Sequence, residues 1–252
     1  MVRSGQNIFL CCVVFGLFLP GPAHRANPQD TVTSSTRPPL TADQVIHNLV
    51  LMNARRAQAL QAYEGTRTYR LEYRGFPSNR SAEMLVKLRY QAPASKEFTV
   101  VSQTGSRVVL DKVFKKLLAG EQEALQPENL RRTALDPANY TFKLLGYEVQ
   151  PGGSSYLLAV EPRSRNKFLY RGQIRVDGTD FAVTRITAEP AKNPSFWIKH
   201  TKIDHEYGKV GEFWLPRHDR SLTQVRLGGH AELTIEYTDY TILQAAPLGP
   251  KA

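Results

Sequence analysis

The stretch from Phe168 to Ile186, FLYRGQIRVDGTDFAVTRI, constrains the fold more than any other. Its first half alternates: Phe168, Tyr170, Gly172, Ile174 and Val176 point one way, and Leu169, Arg171, Gln173, Arg175 and Asp177 the other. A side-chain period of two belongs to a strand with one buried face. Asp177-Gly178-Thr179-Asp180 is a turn cluster, in which glycine can supply the positive φ of a tight hairpin. With these four residues as the loop, Val176 faces Phe181 and Ile174 faces Val183, two pairs on one face. A greasy face opposite a charged one describes an antiparallel sheet with one wet side.

Most of the chain repeats this pattern. The domain is expected to begin at Leu40, where Thr41 and Gln44 form a capping box for a helix reaching about Ala62. Val45, Leu49, Met52, Ala59, Leu60 and Tyr63 share one side of it, interrupted by Arg56. That arginine reads as a snorkelling side chain at the edge of the stripe, with a functional cation as the alternative. The period then changes to two. Strands are expected around Tyr69–Tyr73, Met84–Tyr90 and Lys96–Ser102. A second helix is expected over Asp111–Leu125, with Val113, Leu117, Leu118, Glu121 and Leu125 on one side and Pro127 closing it. Residues 128–139 read as a loop. Strands follow at Tyr140–Leu144 and Tyr156–Val160, then the central hairpin, then Phe196–Tyr207, Glu212–Arg226 and Ala231–Ile242.

A chain of 252 residues, 41% hydrophobic, supports one well-cored domain. The formal charge of +10 is compatible with nucleic acid, an anionic membrane surface or an acidic partner. The first residues discriminate between them. Arg3, the apolar run Ile8–Leu19 and the small residues up to Ala26 read as a secretory signal peptide, residues 1–26, cleaved after Ala23 or Ala26, with an uncleaved signal anchor as the alternative. Residues 27–39 are a Ser/Thr/Pro-rich flexible linker, and 40–252 the folded domain. Both cysteines, Cys11 and Cys12, lie in the leader, so the mature chain is expected to lack disulfides and thiol chemistry. Export without disulfides suits a bacterial periplasm, where no nucleic acid is expected as a partner.

About ten strands with one apolar face each are too many for a flat sheet, so the sheet should curl and present a concave apolar side. Two amphipathic helices can cover that side. Either an apolar hollow remains beneath them, or side chains fill the space.

Gly172-Gln173-Ile174-Arg175-Val176-Asp177 followed by Asp180-Phe181-Ala182-Val183-Thr184-Arg185-Ile186 resembles the bacterial outer-membrane lipoprotein-sorting proteins, the LolA-like periplasmic lipoprotein carriers. Tyr90-Gln91-Ala92-Pro93, Lys96-Glu97-Phe98, Asn139-Tyr140-Thr141-Phe142 and Phe213-Trp214-Leu215-Pro216 occur in the same order as in that family, and the likeness runs from about Ala42 to Tyr240. The resemblance implies an α+β, mainly antiparallel half-barrel, unclosed, with helices lidding a hydrophobic cavity. It further implies a non-enzymatic carrier for acyl chains of lipoproteins or lipids, moving them towards the outer membrane. A sensor or regulatory module docking on a membrane signalling protein is the alternative use of the same scaffold. The candidate cavity residues are Tyr69, Leu71, Tyr73, Met84, Val86, Leu88, Phe98, Phe142, Leu158, Ile174, Val176, Phe181 and Val183.

Other chemistry finds little footing. His200, His205, His218 and His230, with Asp204, Glu206 and Asp219, have no metal-ligand spacing and read as solvated. The chain has no G-x-S-x-G elbow and no H-E-x-x-H pair. No catalytic residue, metal or cofactor is expected, and the protein is expected to be monomeric. Arg70, Arg74, Lys87, Arg89, Arg131, Arg132, Arg171 and Arg175 fall on polar faces or loops, as a solvated exterior or as a guide to anionic lipid or an acidic docking protein.

Overall fold

A computed structural model describes residues 39–193, 196, 198–226 and 228–248; the leader and most of the linker fall outside them. Ten strands form one sheet: β1 (Leu60–Arg74), β2 (Arg80–Gln91), β3 (Ser95–Gly105), β4 (Tyr140–Gln150), β5 (Gly153–Pro162), β6 (Tyr170–Asp177), β7 (Val183–Pro190), β8 (Ile198–Val210), β9 (Phe213–Val225) and β10 (His230–Ala245). The spatial order is β3-β2-β1-β10-β9-β8-β7-β6-β5-β4. Neighbours are antiparallel and, apart from β1 against β10, consecutive in the chain. The sheet does not close: β3 and β4 are its two edges. This is the expected half-barrel.

Helix α1 (Ala42–Ala59) starts at the expected capping box, with the Gln44 N–H donating to Thr41 Oγ1 and the Thr41 N–H to Gln44 Oε1. It stops three residues before Ala62. Leu60 is already extended, at φ −77° and ψ 107°, and the chain passes straight into β1. Gly65 lies inside that strand. A Cβ there would stand 3.0 Å from the Tyr240 ring, so the glycine makes room for an aromatic on β10.

The second helical segment starts earlier than expected. It comprises α2 (Arg107–Val109), a π-helical stretch (Leu110–Phe114) and α3 (Lys115–Ala124). Pro127 opens α4 (Pro127–Thr133) rather than ending a helix, because its fixed φ suits a first turn. Residues 128–139 are therefore partly helical.

The central hairpin carries a correction too. Val176 pairs with Val183 and Ile174 with Ile186, so the loop is longer than four residues. The Asp177 carboxylate accepts the N–H groups of Thr179 and Asp180, and the Asp177 carbonyl accepts that of Phe181. This turn pulls Phe181 out of the ladder, at φ +49°. The faces survive the shift. Ile174, Val176 and Val183 all point into the core.

Each helical segment covers half of the inner face. Val45 and Leu49 of α1 pack against Tyr156, Leu158, Ile174, Val176, Ile186 and Ile203 of β5–β8. Val109, Val113, Phe114 and Leu117 pack against Tyr69, Leu71, Met84, Val86 and Leu233 of β1, β2 and β10. A smaller group, Ala59, Tyr63, Leu88, Phe213 and Leu215, lies between the two. The outer face carries ion pairs: Arg70–Glu83 at 2.6 Å, Arg220–Glu232 at 2.6 Å, Arg171–Glu161 at 3.4 Å and Arg89–Glu64 at 3.5 Å, with Arg185 on Asp204 and Arg175 on Glu148. Much of the basic surface therefore meets carboxylates across the strands. No helix of the described residues is long and apolar enough to cross a membrane.

Candidate functional site

Between the two helical covers lies a cavity of about 150 Å³. The end of α1 contributes Arg56 and Ala57, and β1 contributes Leu60, Tyr63 and Arg67. Glu121 and Leu125 come from the end of α3, Leu130 from α4, Tyr90 from β2 and Lys96 from β3. The opposite wall is His205 and Tyr207 of β8, Phe213–Pro216 and Asp219 of β9, and Ile235 and Tyr237 of β10. Tyr63 stacks on Tyr90 with ring centres 5.1 Å apart and meets Tyr240 edge-on at 5.8 Å.

The expected cavity residues separate on this geometry. Phe142, Leu158, Ile174, Val176, Phe181 and Val183 belong to the α1 cluster. Tyr69, Leu71, Tyr73, Met84, Val86 and Phe98 belong to the α2–α3 cluster, and Leu88 to the group between. Of the whole set only Val183 lines the cavity. The others are the packed ground around it.

The cavity wall is instead built around charge. Arg67 Nη1 donates to Glu121 Oε1 at 2.6 Å, Lys96 Nζ donates to Glu121 Oε2 at 3.1 Å, and all three side chains are nearly inaccessible. Arg67 also donates to the Tyr69 hydroxyl at 3.1 Å, and its guanidinium lies 4.9 Å from the Tyr237 ring centre and 5.6 Å from that of Phe98. Burial alone would push the Glu121 carboxyl up. Arg67 and Lys96 outweigh it and hold the group below its ordinary value. Burial lowers the Lys96 ammonium, with Glu121 opposing.

Across the cavity, Asp219 accepts from the Tyr237 hydroxyl through Oδ2. His205 Nδ1 stands 3.0 Å from Asp219 Oδ1, too poorly aligned for a hydrogen bond, so that oxygen has no hydrogen-bond partner among the described residues. His205 is buried, contrary to the solvated reading, because its β8 position faces the cavity. His218 sits 2.8 Å from Glu236 on the outer side. Among the described residues no three His, Cys, Asp or Glu side chains converge as a metal group would need.

Arg56 does not snorkel. It is 3% exposed, with Nη1 donating to the Asp180 carbonyl at 2.8 Å and Nη2 to Asn53 Oδ1 at 3.0 Å and the Phe181 carbonyl at 3.1 Å. It thus ties α1 to the β6–β7 loop. The Asp180 carboxylate is turned instead to Lys209 and to Trp214 Nε1. Burial lowers the Arg56 guanidinium to about 10, with the charges of Asp180 and Asp177 opposing.

One signal could have located this wall in the sequence. Arg67 is in phase with Tyr69 and Leu71, Lys96 with Phe98, and Glu121 with Leu117 and Leu125. Charges of both signs in the apolar phase of three separate elements point to a buried ion network.

No family model matches the sequence, and no curated protein matches it. Solved structures with a similar course of the chain include a DUF1329 family protein from Desulfovibrio piger, 14% identical over 80% of this chain and 92% of the other, with a TM-score of 0.41. An outer-membrane lipoprotein-sorting protein domain from Vibrio parahaemolyticus is 10% identical over 82% and 95%, with a TM-score of 0.39. The Pseudomonas aeruginosa MucA/MucB complex supplies a third, 11% identical over 81% and 99%, with a TM-score of 0.25.

Proposed function

We propose that this chain is an exported, non-enzymatic binding protein of the bacterial periplasm that takes up acyl chains of lipoproteins or lipids between its helical covers and the inner wall of the half-barrel. The observation that carries this reading is the aromatic-edged cavity at the meeting point of α1, α3 and α4, under helices that cover an open sheet rather than a closed one. The motif order described above agrees with it. Burial of apolar surface would drive uptake, at about 25 cal/mol per Å².

At about 150 Å³ the cavity is smaller than the ~300 Å³ from which ligand pockets usually start, so a whole chain enters only if the covers part. Ala57 is half-buried on that path. Protein purified from an envelope extract is expected to carry acylated material in native mass spectrometry, and Ala57→Trp, which fills the entry, to remove it. Empty spectra for the native chain under mild ionisation would overturn the reading.

Docking on a membrane protein is the second use, favoured by Val100 and Val101 on the β3 edge and Leu145 and Val149 on the β4 edge, all exposed. A stoichiometric protein captured without lipid, and lost on Val101→Lys, would favour it.

A further inference from the structure

Arg56 is a buried cation whose hydrogen-bond partners are all dipoles, with the charges of Asp180 and Asp177 acting on it from beyond ion-pair contact. Its two Nη groups donate to two carbonyls and an amide oxygen, and no carboxylate among the described residues lies in ion-pair contact with it. Its Nε has no hydrogen-bond partner among them, and the residue lines the cavity. Arg67 Nε, on the same cavity, is likewise unpartnered, although Glu121 already answers the charge of that residue. A buried guanidinium with a spare N–H favours an anion, because desolvated charge is costly until it is met by an opposite one. The charged lining sets Arg56, Arg67 and Lys96 against the carboxylates of Glu121 and Asp219.

We infer that the cavity receives the carboxylate of a single-chain amphiphile, head first, with Arg56 as its anchor. The inference rests on the acyl-chain reading above and narrows it to chains with a free acid end. The size agrees: about 150 Å³ houses a head group and its first methylenes rather than a full chain. A planar carboxylate also matches the guanidinium edge better than a neutral hydroxyl does. Leu60, Tyr63, Leu125 and Leu130 supply the apolar side against which those methylenes rest.

The test compares three probes on the delipidated full chain by calorimetry: palmitate, hexadecanol and acetate. A charge-assisted hydrogen bond predicts that palmitate binds about tenfold or more tighter than hexadecanol. Acetate, without a tail, should bind far more weakly than either. Equal affinity for acid and alcohol overturns the inference while leaving the acyl-chain reading standing. Failure of both long-chain probes overturns both. Acetate binding as tightly as palmitate would make the site one for free carboxylates and overturn the amphiphile. Arg56→Met should bring palmitate down to the affinity of hexadecanol, and an undiminished margin removes Arg56 from the role. If that variant does not fold, Arg56→Lys, which keeps the charge without Nε, must narrow the margin, and an unchanged margin counts against the anchor equally.

Discussion

The two halves under the helices and the cavity between them bury opposite chemistry on one continuous wall. Beneath α1, Leu158, Ile174 and Val176 are sealed by aliphatic and aromatic neighbours, with no buried ion pair among them. Between the covers, Arg67, Lys96 and Glu121 are almost as inaccessible, yet Glu121 pairs with both cations. Apolar packing tolerates partial loss in proportion to the atoms removed. A buried ion network does not, since deleting one member strands the rest without solvent or counter-charge.

The largest effect is expected from Glu121→Ala, which leaves Arg67 and Lys96 without their shared carboxylate. It should cost about 3–5 kcal/mol in urea unfolding. Replacing Arg67, Lys96 and Glu121 together by Met, Met and Leu should cost far less, and an equal loss would mean that packing, not charge, sets the penalty. The same group carries a pH dependence. Because the folded Glu121 carboxyl is held below its unfolded value of about 4.3, its contribution is whole above that pH and drains as pH falls through the folded value. The triple variant should therefore resist acid better than the native chain when the two are compared by circular dichroism between neutral pH and about pH 3.

On the apolar side, Ile174→Ala should cost about 2–5 kcal/mol with no change in acid sensitivity. The smallest effect is expected outside. Arg220→Ala removes an exposed partner of Glu232 and should change stability by about 1 kcal/mol or less, a difference that added salt would erase.

The faces of the sheet were legible from the alternation because parity follows directly from strand geometry. Tyr69, Leu71, Met84, Val86, Ile174 and Val176 all stand inward as their spacing requires. The Thr41 cap was legible for a similar reason, since its two hydrogen bonds are local. Register was not. Asp177 satisfies two N–H groups with its own side chain, and that choice lengthened the hairpin loop without altering which residues are apolar. The cavity lining was harder still. Arg56 looks like an edge residue in a helical wheel, and only the distant Asp180 and Phe181 carbonyls, brought over it by the β6–β7 turn, make its burial tolerable.

The junction of β1 with β10 has a consequence for how the molecule comes into being. Leu60 is paired with Ala245 and Arg74 with His230, so the middle of the wall is stitched from opposite extremes of the chain. Zipping from one hairpin to the next can raise either flank, but the seam that unites them waits for the last strand to arrive. Long-range pairing of this kind slows folding. The wall as a whole therefore forms late, once residues 230–245 have met residues 60–74, and until then its two flanks are separate hairpin stacks.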